Sequence, residues 1–198
     1  MIKTRPNPRF DELRKLISSK PMSLSSWAGT LYRFQTVDYP TPEDVLSGLG
    51  AKRRGGRWNP PGLAVVYGST TDTTALQECK ATDHYYGIVT RSPRLVIAVE
   101  ARLKRVLNLT SASVRAQLGV TLTELRAEDW RKLLQAGRES LTQTLGRAAF
   151  HAGASGIVAP STAEALGVNV AIFRDNLGKG ETLTVVEGRE LRRLARKY

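Results

Sequence analysis

From Ser111 to Ala152 the sequence reads as helix, and on both sides of that stretch it reads as strand. Within it, Trp130, Leu133 and Leu134 recur at i, i+3 and i+4, and Leu141, Leu145, Ala148 and Ala149 at i, i+4, i+7 and i+8, with Gly153 placed as a stop. Ahead of it come Leu31-Tyr32-Arg33-Phe34, the run Leu63 to Tyr67 and the apolar run Arg94 to Glu100, with Val106 to Leu109 as a further short strand. Behind it come Gly156 to Ala159, Val168 to Phe173 and Thr182 to Val186. Groups of strands parted by a helical insertion, without the regular alternation of a doubly wound sheet, predict an α+β fold. The 198 residues suffice for one sizeable core.

The core is expected over 27–187. Residues 1–26 are basic, contain Pro6, Pro8 and Pro21 and show little apolar periodicity, so they read as an exposed arm with about one helical turn near Asp11 to Ile17. A basic helix around Leu191 and Leu194 is expected over 188–198. The Gly/Pro-rich stretch Gly48 to Gly62 reads as a loop between two strands. Asp72 is placed to cap a helix on which Ala75, Leu76 and Cys79 form one stripe, with Glu78 beside its buried edge.

Charge narrows the partners. Thirty Lys plus Arg against eighteen Asp plus Glu leave a net +12, so the surface attracts anions such as nucleic acid, phosphorylated metabolites or an acidic protein. No apolar run approaches the roughly 18 to 20 residues of a membrane span, and the N-terminus lacks a signal-peptide core, which predicts a soluble cytoplasmic protein. Cys79 is the single cysteine and the histidines are His84 and His151, so neither a disulfide, a multi-cysteine zinc site nor a His-rich cage is expected, and no metal is assigned. Nucleotide motifs fail as well. Gly48-Leu49-Gly50 continues to Arg53 where a third glycine belongs, no phosphate loop of Walker type occurs, and Ser69, Ser155 and Ser161 lack a nucleophile elbow.

What remains is Tyr32-Arg33 on the first strand, Gly55-Gly56-Arg57-Trp58-Asn59 in the loop, Tyr67 on the second strand, Glu78 on the next helix and Pro160-Ser161 after a late strand. Arginine forks match phosphates, glycines let backbone approach the same anion, aromatic faces stack on heterocycles, and a glutamate facing a cationic or oxocarbenium-like centre favours glycosidic cleavage. Each piece also has a plain structural reading. Tyr32-Arg33 is a core aromatic beside a charge, the glycine block a tight turn, Glu78 a solvated helix face, and Ser161 an N-cap at capping-box spacing from Glu164.

Order and spacing give these pieces a family likeness. Leu31-Tyr32-Arg33, then Gly55-Gly56-Arg57-Trp58-Asn59-Pro60, Val66-Tyr67-Gly68-Ser69 with Ala75-Leu76-Gln77-Glu78, Leu141 to Ala149, Gly156 to Ser161 and Asn169 to Phe173 together resemble the RES domain. The resemblance spans Trp27 to Val186, with Arg174-Asp175 departing from a proline common nearby. It implies a split-sheet fold like the diphtheria-toxin type ADP-ribosyltransferases. It also implies a type II toxin that consumes NAD by cleaving the nicotinamide-ribose bond, with water or phosphate as acceptor. Alternatively the acceptor is a cellular protein, making the chain an ADP-ribosyltransferase. The implied partner is an antitoxin with an Xre-like helix-turn-helix, through which alone DNA would be reached. Carried over, Arg33 and Arg57 anchor the NAD phosphates, Tyr32 or Tyr67 packs on nicotinamide or its ribose, Glu78 stabilises the cation, Ser161 completes the pocket and Asn169 binds the dinucleotide. The rival class is a basic nucleic-acid-binding module, motivated by +12, by Arg53 to Arg57 and by Arg189 to Lys197, although no helix-turn-helix, zinc finger or RRM signature is present.

Overall fold

The computed structural model describes residues 4–195 except 20, 21, 23, 39, 40 and 90–92. Elements run in the order α1 (Phe10–Ser18), β1 (Ser25–Thr36), α2 (Pro42–Ser47), α3 (Leu49–Arg54), β2 (Val65–Ser69), α4 (Asp72–Tyr86) and β3 (Arg94–Asn108). Then follow α5 (Ala112–Gln117), α6 (Leu122–Ala127), α7 (Trp130–Gln135), α8 (Leu141–His151), β4 (Gly156–Pro160), β5 (Val168–Phe173), a 3-10 turn (Arg174–Asn176), β6 (Thr182–Val185) and α9 (Gly188–Ala195).

The strands lie in the order β1-β2-β5-β4-β3-β6, and an additional antiparallel pairing of β1 with β3 closes the first five into a ring. β3 and β4 run parallel, with Val106 opposite Gly156. A parallel neighbour cannot be reached by a hairpin, so the chain crosses over through α5 to α8, which is the physical role of the helical insertion. Strand alternation then sorts the core. Leu31, Val66, Ile97, Val99, Ala101, Val158, Val170 and Ile172 form one apolar cluster joined by Val45 of α2 and Leu191 of α9. Val65, Ile157, Ala159, Ala171 and Phe173 face the other way, onto Leu145, Ala148 and Ala149 of α8 and Trp58 of the loop.

The α+β class is present, and so is every expected strand but the separate one at Val106 to Leu109, with adjusted limits. The segment expected as an exposed arm is folded. Leu13 and Ile17 of α1 are 0% and 3% exposed and join the cluster around α8, where burying two such side chains contributes about 1.5 to 3 kcal/mol each. Arg5 pairs with Arg138 by backbone bonds, and the Asn7 amide donates to buried Glu139, which also pairs with Arg147 at 2.7 Å. The short periodicity of α1 hid this, because its apolar face was too brief to weigh against the flanking prolines. The Gly48 to Gly62 stretch contains helix α3, entered through Gly48 in the left-handed conformation at φ 66°. Thr71 rather than Asp72 caps α4, its hydroxyl accepting from the Thr74 amide at 3.1 Å. Val106 to Asn108 continue β3 instead of forming a separate strand. The basic C-terminal helix is α9 as far as Ala195; Arg196, Lys197 and Tyr198 lie outside the described residues.

Candidate active site

Helix α4 leaves β2 and packs on β1 and β2. Its buried face carries Thr74 and Ala75, and Glu78 follows them at i+4 and i+3, so the carboxylate is carried on that face toward the start of β5. There Glu78 Oε1 accepts from Ser161 Oγ at 2.7 Å and from Asn169 Nδ2 at 2.5 Å. Asn169 Oδ1 in turn accepts from Ser69 Oγ at 2.7 Å, which fixes its amide orientation. Ser161 Oγ also accepts from the backbone amides of Ala163 and Glu164, each at 3.0 Å. The serine thus closes a turn and bonds the glutamate; no helix follows it, so it is not the N-cap its spacing from Glu164 suggested. Both side-chain bonds fall on Oε1, so Oε2 is the carboxylate oxygen outside this pair. A carboxylate oriented in this way and only half-buried can face developing positive charge.

The glycine block is clamped from two sides. Trp58 N–H donates to the Tyr67 hydroxyl at 2.9 Å, and that hydroxyl donates to Asn59 Oδ1 at 2.7 Å. Burial pushes the Tyr67 hydroxyl well above its usual range, which keeps it a donor. Gln143 of α8 donates to the carbonyls of Gly56 and Asn59 at 3.1 and 3.3 Å. Glycine is required at both contact points: a Cβ on Gly56 would stand 2.6 Å from the Tyr67 hydroxyl, and one on Gly146 would stand 1.7 Å from the Trp58 carbonyl oxygen.

The clamped loop delivers Arg57 to the same region. Its Nη2 donates to Thr162 Oγ1 at 3.3 Å and its Nη1 to the Leu125 carbonyl at 3.2 Å. Burial lowers this guanidinium from its ordinary value, while nearby Glu78 opposes that shift and Arg131 adds to it. Carboxylate and guanidinium therefore share one site, assembled from α4, the ends of β4 and β5, and the glycine loop.

A family model for the RES domain matches residues 30–193. The chain belongs to the RES domain family. It is 26% identical over 162 residues to the NAD(+) phosphorylase MbcT of Mycobacterium bovis, and equally to MbcT of Mycobacterium tuberculosis, covering 78% of each chain. Its fold matches a chain in the crystal structure of the M. tuberculosis MbcT-MbcA toxin-antitoxin complex, with a TM-score of 0.63, 21% identity and coverage of 93% and 97% of the two chains.

In this RES domain the expected residues divide. Glu78, Ser161, Asn169 and Arg57 converge as described. Tyr32 lies on the same sheet face, aligned with Ser69, and its ring is partly exposed. Tyr67 spends its hydroxyl on the loop, so only its ring is available to a ligand. Arg33 bonds to α2, whereas Arg57 bonds to Thr162 and the crossover. Being the next residue after Tyr32, it points to the opposite face, aligned with Ile97 of the inner cluster. Its Nη1 donates to the Val45 carbonyl of α2 at 2.8 Å, its Nε is sealed from water without a hydrogen-bond partner among the described residues, and burial lowers it to about 10. Strand alternation thus separates Arg33 from the face that carries Tyr32 and Ser69.

Sequence reasoning missed Arg131 of α7, whose Nη2 reaches Thr82 Oγ1 at 3.2 Å, one turn beyond Glu78. An arginine in a helix rich in Arg and Lys carries no local signal, and only the crossover's path brings it here. His84 and Cys79 lie outside this bonding network; His151 packs edge-on against Phe10 and Phe150. Among the described residues no group of three His, Cys, Asp or Glu is placed to hold a metal ion, and no helix is long and apolar enough to cross a membrane.

Proposed function

We propose that this chain is the toxin of a toxin-antitoxin pair and that it consumes NAD by breaking the nicotinamide-ribose bond. The observation that carries the reading is Glu78, held on Oε1 by Ser161 and Asn169 beside Arg57, in a RES domain similar to an NAD(+) phosphorylase. The glycosidic electron pair leaves with nicotinamide, and the ribosyl cation that develops is opposed by the Glu78 carboxylate. Arg57 holds phosphate charge, which is constant through the reaction, so it serves binding more than the chemical step. Tyr32 and the Tyr67 ring offer aromatic surface for nicotinamide or its ribose. Phosphate is the acceptor favoured by the MbcT likeness; water and a protein side chain are the other nucleophiles the same cation admits.

The closed ring of strands with its helical crossover agrees with an ADP-ribosyltransferase ancestry of diphtheria-toxin type, in which the transferred group is the same. The partner is an antitoxin with an Xre-like helix-turn-helix, whose acidic segment would compete with NAD for Arg57, and DNA is reached only through it. A chain that drains NAD acts in the cytoplasm, where that pool lies.

Purified protein incubated with NAD, with and without phosphate, should release nicotinamide together with ADP-ribose or its phosphorylated form. Expression without a partner should arrest growth and lower cellular NAD. Unchanged NAD in both settings defeats the reading.

A further inference from the structure

The contacts around Glu78 form a closed circuit through four segments. Glu78 is bonded by Ser161 at the end of β4; Thr162 accepts from Arg57 Nη2; Arg57 Nη1 also reaches the Glu128 carbonyl at 3.5 Å, three residues before Arg131; and Arg131 Nη2 returns to Thr82, i+4 from Glu78. Two guanidiniums thus stand on one rim of the site.

Glu78 and Glu128 act on Arg57 through their charge, but their hydrogen bonds go elsewhere. Glu128 accepts from the Leu141 and Thr142 amides at 2.9 and 3.1 Å, where it serves the N-terminus of α8. Glu78 is held by Ser161 and Asn169. Arg131 is instead held by its faces: its guanidinium carbon lies 4.6, 4.8 and 5.6 Å from the ring centres of Trp130, Tyr85 and Tyr86. Stacking fixes the plane of the fork and leaves its in-plane N–H groups for an acceptor. Thr82 takes one of them, and the Arg131 Nε is buried without a hydrogen-bond partner among the described residues. Burial and the like charge of Arg131 both work against the charged form of Arg57, a cost that an anion joining the two would offset.

We infer that Arg131 is the second phosphate-binding cation of this site, and that Arg57 and Arg131 together grip the diphosphate of a dinucleotide. The inference rests on the proposed NAD reading for the nature of the ligand, and it moves to the helical crossover a role that the sequence offered to Arg33. It also makes the aromatic box of Trp130, Tyr85 and Tyr86 a positioning device, since these rings hold the fork at the rim.

The test is binding, separate from turnover. The full chain and Arg131→Met, which keeps an unbranched stem among the three rings, are titrated with ADP-ribose and with adenosine, which shares the base but has no phosphate. Loss of one charge-assisted phosphate contact should weaken ADP-ribose by about 10- to 100-fold, leave adenosine unchanged and flatten the salt dependence of ADP-ribose binding. ADP-ribose affinity within twofold of wild type overturns the inference, and so does equal weakening of both ligands, which marks a packing role. Failure of the wild-type chain to bind ADP-ribose overturns it too. If Arg131→Met does not fold, Arg131→Lys takes its place: it keeps the charge but not the planar fork, and a loss of about 3- to 10-fold is expected, against none if the inference is wrong. A wild-type chain that binds ADP-ribose through Arg131 but leaves NAD intact upholds the inference while defeating the proposed activity.

Discussion

Replacing Glu78 by glutamine removes a charge and little else. The amide oxygen takes the place of Oε1 and still accepts from Ser161 and Asn169, which approach at 2.7 and 2.5 Å, so the side chain keeps its anchorage on α4. What disappears is the negative charge facing the ribosyl cation. Losing one preorganised electrostatic group of this kind costs about 2.7 to 4 kcal/mol in the transition state, or about 10²- to 10³-fold in kcat. Ground-state binding should respond differently. Glu78 is the opposite charge that acts most strongly on Arg57, and removing it frees that guanidinium for phosphate, so KM for NAD should stay level or fall. The assay is nicotinamide release at saturating and limiting NAD, on protein whose thermal melt matches wild type. A kcat within threefold of wild type would refute the reasoning, and so would a KM rise at constant kcat, which would make Glu78 a ground-state contact.

Three further perturbations test the scaffold. Gly146→Ala should destabilise by about 2 kcal/mol or more in urea unfolding, because the new Cβ meets the Trp58 carbonyl oxygen at 1.7 Å; helix propensity alone predicts a gain of about 1 kcal/mol, so the sign decides. Tyr67→Phe should cost about 1 to 3 kcal/mol by stranding the Trp58 amide and Asn59 Oδ1, seen as a lower Tm. Glu181 is buried, which raises its carboxyl, yet the Lys104 and Gly178 amides, Ser155 and Arg105 outweigh this and hold it at about 2. A folded value depressed from 4.5 stabilises above that pH and is lost as pH falls from 4.5 through 2; Glu181→Gln should flatten this acid limb, and an unaltered limb would show that Glu181 does not control it.

Local chemistry was legible wherever it is written in neighbouring residues. The strands announced themselves by β-branched runs and the crossover by its 3.6-residue period, whereas the expected α4 stripe of Ala75, Leu76 and Cys79 gives way to a buried pair of Thr74 and Ala75, with Glu78 on their face. The GGRWN block stood out through its resemblance to the RES family's signature, since by itself it reads equally well as a tight turn. The same local view misjudged α1, whose two buried residues count only once α8 is there to cover them. It also gave Thr71's capping role to Asp72, since both residues have capping side chains and only the backbone angles choose between them.

The pairing of residues far apart in the chain was decided by the tertiary structure alone. The sequence determined which groups the protein carries: an arginine in a glycine loop, a glutamate on a helix, a serine and an asparagine at strand ends, and a surplus of positive charge. It did not determine which of them meet. Tyr32 and Arg33 are adjacent in the chain yet stand on opposite faces of the sheet, because successive residues of a strand alternate sides. Arg131 lies 53 positions from Glu78 yet reaches Thr82, one turn away from it, because a parallel β3/β4 pair forces a long crossover, and its path lays α7 against α4.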